Sequence, residues 1–296
     1  MSKKTIGYAA ESAEAFLKPF QFERRPLTSK DVQIDILFCG VCHSDLHTAR
    51  NEWRSTVYPV VPGHEIVGRV TQVGTDVTKF KKGNLVAVGC MVDSCQECLN
   101  CIEGLEQYCE KGATFTYNSK EKQTRGITYG GYTDNIIVTE NFVIHVPANL
   151  TLQAVAPILC AGITAYSPLR HWNIGKGHKV GVIGLGGLGH MAVKLAHGLG
   201  AEVTMITTSP EKENDAKRLG ASNILLSTNK LMMSKNADQF DFILNTIPKA
   251  HDINPYMKLL KMDGTMVIVG AIETLQEGVD CRAFIFKRSR VAGSLI

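Results

Sequence analysis

The sequence predicts an α/β protein in two parts, a β-rich first half followed by a doubly wound parallel sheet. Two observations predict it. Before residue 150, short β-branched runs are punctuated by glycines at 63, 68, 74, 83 and 89. After residue 151, strand-like and helix-like segments alternate. At 296 residues and 44% hydrophobic content, the chain is long enough to build two cores.

Each element has its own warrant. Residues 32–38 alternate apolar and polar side chains, 66–73 and 85–88 are β-branched, and 132–138 forms a further strand. Residues 90–130 read as largely irregular, and a loop of that length needs something to hold it. In the second half, strands are expected over 179–183, 202–207, 224–226, 242–245, 265–270 and 291–295. Helices are expected over 187–199, 210–219 and 254–261, the second with Pro210 in its first turn.

Several function classes are set aside. The longest apolar stretch, 180–199, is broken by glycines and by His190, Lys194 and His197, so no membrane span is expected. Met1-Ser2-Lys3-Lys4 leads into no apolar run, so no secretory leader is expected. Nine cysteines without such a leader point to reduced thiols, metal ligation and the cytoplasm. A formal charge of +4 with no Lys/Arg cluster gives no reason to expect nucleic acid.

Three motifs carry chemistry. Cys95, Cys98, Cys101 and Cys109 form a C-x2-C-x2-C-x7-C run, the spacing of a structural zinc site. An iron–sulfur cluster is the rival, but bacterial ferredoxin runs close with C-x3-C-P, and no proline follows Cys109. Gly184, Gly186, Gly187, Leu188 and Gly189 lie between an expected strand and helix, where backbone N–H groups can meet a pyrophosphate. The next strand ends in Thr207, Thr208 and Ser209, with Lys212 following, where an NAD-selecting acid would otherwise stand. Hydroxyls and a cation there favour NADP(H). The third motif is scattered: Cys42, His64 and Cys160 together offer two thiolates and an imidazole, with one tetrahedral position left open. Cys39, Cys90 and Cys281 read as ordinary small apolar side chains. His145, His171, His178, His190, His197 and His251 match no ligand spacing and read as surface or core histidines.

Gly63-His64-Glu65-x2-Gly68-x5-Gly74-x2-Val77 resembles the zinc-containing alcohol dehydrogenase signature of the medium-chain dehydrogenase/reductase superfamily. Residues 40–47 and 157–166 resemble its cinnamyl-alcohol-dehydrogenase-like, NADP(H)-dependent aldehyde reductases of the bacterial broad-specificity type. The resemblance runs through essentially the whole chain. It implies a GroES-like catalytic domain over 1–161 and a Rossmann domain binding NADP(H) over 162–296. Alcohol dehydrogenase is itself the standard example of a Cys2His catalytic zinc, so agreement on that ligand set adds no independent support.

The resemblance also implies roles. Cys42, His64 and Cys160 would hold a catalytic zinc, with Glu65 beside it as an alternate ligand, and the four-cysteine lobe a second, structural zinc. Ser44 and His47 would pass the proton, His43 would lie near the cofactor pyrophosphate, and Thr164 would contact the nicotinamide. Trp53, Met91 and Leu295 would line the substrate pocket, and a strand over 283–286 would pair two subunits into a homodimer. The implied activity is reversible reduction of an aldehyde to a primary alcohol.

Family members run on for about fifty residues past Ile296, so apolar surface and a strand edge are expected to be exposed, with stability and turnover impaired. Two other functions are therefore weighed: a remnant that binds zinc and NADP(H) without useful turnover, and a zinc polyol dehydrogenase, disfavoured by Thr207.

Overall fold

The computed structural model describes residues 3–270, 273–275 and 277–296; Met1 and Ser2, part of the start read for a leader, lie outside them. The chain divides into two compact units, Met1–Cys160 and Ala161–Ile296.

The first unit opens with an antiparallel hairpin, β1 (Lys3–Ala9) and β2 (Lys18–Arg24). There follow β3 (Asp31–Cys39), α1 (His43–Ala49), β4 (Ile66–Val73), β5 (Leu85–Val88), β6 (Met91–Asp93), α2 (Leu99–Ile102) and β7 (Thr114–Phe115). Strands β8 (Asn135–Thr139) and β9 (Ile144–His145) and helix α3 (Leu152–Val155) complete it. Five strands form one antiparallel sheet in the order β8-β3-β4-β5-β9. Alternation along β3 sends Val32 and Ile34 to one face, where they pack with Val70, Val86 and Val138. On another part of the sheet Val67 and Ala87 meet Val155, Ala156 and Leu159. That packing of α3 and the turn after it anchors the residue immediately before Cys160.

The strand expected over 132–138 begins only at Asn135. Upstream of it the backbone is diverted: Gly130 and Gly131 donate to the Val61 and Gly63 carbonyls at 2.8 Å, and Tyr132 to Pro62 at 3.0 Å. The Arg24 guanidinium fastens this diversion, donating to the carbonyls of Tyr129 (2.6 Å), Gly130 (3.1 Å) and Asn135 (2.9 Å). Burial lowers its pKa to about 10.

The second unit begins with α4 (Ala161–His171), which local sequence pattern does not foresee. It continues through β10 (Lys179–Ile183), α5 (Gly187–Gly198), β11 (Glu202–Thr207), α6 (Glu213–Leu219), β12 (Asn223–Leu226) and α7 (Lys230–Lys235). The last elements are β13 (Phe240–Asn245), α8 (Asn254–Met257), β14 (Leu260–Ile268), α9 (Cys281–Lys287) and β15 (Arg290–Gly293). All six strands run parallel in the order β12-β11-β10-β13-β14-β15, so the order reverses between β10 and β13. Two apolar clusters form its core: Val180 and Val182 pack with Ala192, Val193 and Ala196 of α5, while Ile183 and Ile243 pack with Met257 and Leu259.

The structure corrects further expectations. Residues 283–286 lie in a helix, not a strand. Asp280 caps it by accepting from the Arg282 N–H at 3.1 Å, and Ala283 and Phe284 pack inward while Ile285 and Phe286 stay exposed. There is accordingly no strand at that place to join two subunits. The helix expected over 254–261 stops at Met257, because the buried Leu260 already pairs with Phe240 in the sheet. The helix expected over 210–219 is a 3-10 turn at Pro210–Lys212 leading into α6. Among the described residues no single helix is long and apolar enough to cross a membrane.

Candidate functional site: two cation sites and a dinucleotide turn

Helix α1 is seven residues long, and its start organises one site. Cys42 is the N-cap: its sulfur accepts from the Ser44 N–H at 3.5 Å, while its own N–H donates to Asp45 Oδ2 at 3.0 Å. Asp45 does not stand out in the sequence, yet its buried carboxylate gathers four donors. Besides Cys42 these are the Gly63 N–H, His64 Nδ1 and the Tyr132 hydroxyl, each at 2.9 Å. Burial pushes Asp45 up, but the His64 bond and the backbone donors outweigh it and hold the carboxyl below its ordinary value. Burial, then the Asp45 charge, raises the Tyr132 hydroxyl, which stays a proton donor.

With Nδ1 committed to Asp45, His64 turns Nε2 toward the remaining donors. The ligand atoms of Cys42, His64, Glu65 and Cys160 all lie within 4.8 Å of one another, and the Cys42 and Cys160 sulfurs are 3.8 Å apart. The electrostatics of this group call for positive charge. A hydrogen bond with the Cys160 sulfur, then burial, pushes the Cys42 thiol upward. Burial opposes a charge on His64, yet Asp45 and the two sulfurs outweigh it and push the imidazole up to about 12. Burial pushes Glu65 up to about 7. Its carboxylate rests against bare backbone, for a Cβ built on Gly40 would come within 1.9 Å of Glu65 Oε2. Two thiols, an imidazole and a carboxylate converging in this way fit a divalent zinc.

The second group is Cys95, Cys98, Cys101 and Cys109, whose sulfurs likewise lie within 4.8 Å of one another. Backbone N–H groups point at the sulfurs: Cys98 N–H at 3.3 Å from Cys95, and Cys95 N–H at 3.4 Å from Cys109. Such bonds, the Glu97 N–H first, pull the Cys95 thiol down to about 6. Four thiols around one point fit a closed, structural zinc.

Near the first group, the Ser44 hydroxyl lies 3.6 Å from the Cys42 sulfur. His47 stands one turn along α1, its ring 6.0 Å from His43 and 5.2 Å from Trp53. His47 Nδ1 is bonded to the carboxylate of Glu52, a partner that sequence reasoning missed. Only a five-residue spacing across the end of a helix hinted at it. Met91 opens β6 opposite Phe115, and its neighbour Cys90 has its sulfur 3.7 Å from the Leu159 carbonyl.

The second unit holds the remaining candidates. Gly184 has φ +89° and Gly189 approaches it so closely that a Cβ would sit 1.9 Å from the Gly184 carbonyl oxygen. Around Gly186 and Gly187, by contrast, a Cβ would meet nothing within 4 Å. The N-terminus of α5 thus has open space before it, as a pyrophosphate needs. Thr207 is buried at the end of β11, its hydroxyl accepting from the Ser209 N–H at 3.1 Å, so it shapes the turn; Thr208 is exposed. Lys212 bridges back to the glycine turn, its Nζ 3.4 Å from the Leu185 carbonyl. Thr164 is buried in α4, and Leu295 follows β15, half-exposed.

Residues 28–148 match the model of the alcohol dehydrogenase GroES-like domain, and residues 187–296 that of the zinc-binding dehydrogenases. The chain is 51% identical to the aldehyde reductase YahK of Escherichia coli, spanning 100% of this chain and 84% of that protein. It is 50% identical to an NADP-dependent alcohol dehydrogenase C of Mycolicibacterium smegmatis, over 98% and 82% of the two chains. Among solved structures, a cinnamyl alcohol dehydrogenase of Sorghum bicolor superposes with a TM-score of 0.94 at 45% identity, covering 98% of this chain and 83% of the other. A Helicobacter pylori relative solved with NADP(H) superposes at 0.90 with 41% identity, covering 100% and 84%. A β-rich unit with two clusters of candidate zinc ligands, a parallel sheet with a glycine turn, and this likeness along its length make the chain a member of the zinc-binding alcohol dehydrogenases of the medium-chain dehydrogenase/reductase superfamily.

Proposed function

We propose that the chain is a zinc-dependent oxidoreductase that interconverts aldehydes and primary alcohols with NADP(H), mainly in the direction of aldehyde reduction. The single observation that carries this is the convergence of Cys42, His64, Glu65 and Cys160 on one point. Bound there, zinc supplies Lewis acidity to the substrate oxygen, and NADPH supplies the hydride.

The chain's own residues do the rest. Cys42, His64 and Cys160 hold the cation, and the Asp45 carboxylate keeps His64 in the tautomer whose Nε2 is a lone pair. Glu65 waits beside them as an alternate ligand. Ser44 donates the proton that the new alcohol needs, and His47, oriented by Glu52, replaces it from solvent. The N–H groups of Gly187 and Leu188 would receive the pyrophosphate, and Thr164 would meet the nicotinamide. Thr208, Ser209 and Lys212 accept a 2′-phosphate; no acid occupies the end of β11 to repel it. Trp53 and Met91 would line the first unit's part of the substrate pocket. Six of the nine cysteines, all free thiols, belong to the two clusters, which suits a reducing compartment such as the cytoplasm.

The test is zinc analysis with a turnover assay on the purified chain. Two zinc ions per chain and NADPH oxidation on adding an aromatic aldehyde are expected, with Cys42→Ala losing one zinc and the turnover together. NADPH binding without turnover would instead support the non-catalytic remnant, and a preference for NADH with polyols the polyol dehydrogenase.

A further inference from the structure

His251 has a place in the second unit that its sequence context does not suggest. Its Nδ1 lies 2.8 Å from the Lys249 carbonyl oxygen, which can only accept, so that nitrogen carries the ring proton. Its Nε2 is therefore an acceptor, and it lies 2.9 Å from Nδ2 of Asn245. Asn245 is fully buried at the end of β13. With its amide nitrogen turned to His251, its Oδ1 accepts from the Ile247 N–H at 3.2 Å. The loop 245–251 is thus closed on itself by three bonds that share two side chains.

That loop borders the dinucleotide turn. The Thr246 hydroxyl donates to the Ile183 carbonyl at 2.7 Å and lies 3.2 Å from the Gly184 carbonyl oxygen. A Cβ on Gly184 would meet Thr246 Oγ1 at 3.1 Å and Ile247 Cγ1 at 3.6 Å, and one on Gly270 would strike Ile247 O at 2.5 Å. The strand order reverses between β10 and β13, and ligands of such sheets bind outside the carboxyl ends of the strands at that reversal. The adenosine ribose goes to the end of β11, on one side of the pyrophosphate. The other half of the dinucleotide must then extend toward β13 and the loop that follows it.

Resting on the cofactor reading above, we infer that His251 and Asn245 are positioning residues for the nicotinamide half of the cofactor, acting by fixing the 246–250 loop. Neither needs to touch the dinucleotide. Without His251 the Asn245 amide loses its partner, the Ile247 N–H loses its reason to face inward, and the loop floor shifts. The adenosine half, on the far side of β10, does not feel the change.

The experiment compares two ligands on the full chain, NADPH and 2′-phospho-ADP-ribose, which lacks the nicotinamide. His251→Phe keeps a flat ring and loses both bonds; His251→Gln keeps one acceptor and one donor. In His251→Phe, NADPH is expected to bind about tenfold more weakly, the value of one or two hydrogen bonds. Binding of 2′-phospho-ADP-ribose should stay as in the wild type, which also shows that the unit remains folded. His251→Gln should recover most of the NADPH affinity. The inference is overturned if the Phe variant binds both ligands unchanged, if it weakens both alike, or if Gln is no better than Phe. Failure of the unaltered chain to bind 2′-phospho-ADP-ribose at all would sink the cofactor reading itself, and this inference with it.

Discussion

His64 donates through Nδ1 to Oδ1 of Asp45 at 2.9 Å, and both side chains are buried to within 4% of full enclosure. A carboxylate in that place fixes the ring orientation and strengthens the other nitrogen as a ligand. Asp45→Asn keeps the shape and removes the charge. Its affinity for the zinc at Cys42 and Cys160 should fall about 10- to 100-fold, measured by competition with a coloured chelator. The four-cysteine site should keep its zinc, because no Asp45 contact reaches it.

The bond between His47 and Glu52 makes a second prediction. Glu52→Ala leaves His47 in place but without the carboxylate that orients it. Turnover should drop about a hundredfold, the lower end for loss of assisted proton transfer, with the KM for NADPH little changed. Steady-state kinetics decide it: a rise in KM at constant kcat would assign Glu52 to binding instead.

Thr207 sits where an acid would select NAD. Thr207→Asp places a negative charge against the 2′-phosphate of NADPH. The ratio of kcat/KM for NADPH over NADH should fall by at least about tenfold, since like charges brought together cost several kcal/mol. An unchanged ratio would mean the phosphate is held elsewhere.

Acid stability of the first unit should depend on Asp31. It is fully buried and paired with Arg25, whose Nη2 lies 2.9 Å from Oδ1, and it also accepts from the Thr28 N–H at 2.7 Å. Burial pushes its carboxyl up, but the Arg25 and Thr28 bonds outweigh that and hold it below its ordinary value. A group depressed in this way stabilises the fold above its unfolded-state pKa of about 4, and the contribution is lost as pH falls through the lower folded value. The melting temperature should therefore decline below about pH 4 more steeply in the wild type than in Asp31→Asn. At neutral pH that variant should be less stable by about 3–5 kcal/mol, as when one partner of a buried pair is removed.

Local pattern made much of the fold legible. The strands at 66–73, 85–88, 179–183 and 202–207 have the limits that their side-chain composition predicts. The four-cysteine cluster was legible from its spacing alone, whereas Cys42, His64 and Cys160 lie far apart in the chain and were brought together on paper only by the resemblance. What the pattern hid was decided by tertiary bonds. The β1–β2 hairpin alternates in burial, but β1 turns the large Ile6 and Tyr8 outward and the small Thr5, Gly7 and Ala9 inward, the reverse of the usual apolar signal; Arg24 ties its end to distant carbonyls. The resemblance implied a strand over 283–286, but the Asp280 cap and one inward face make a helix there. Asp45 and Glu52 could not be ranked among 28 acidic residues until their partners were located.

Gly40 governs how far Glu65 can retreat. Its missing side chain is a berth for the carboxylate, so the acid can lie back from the cation without leaving the cluster. A single methyl, as in Gly40→Ala, would evict it, and we expect it to turn toward the cation that Cys42, His64 and Cys160 would hold. In a cobalt-loaded chain the visible absorption band should register the added oxygen, and an enzyme so altered would have its open coordination position permanently stoppered.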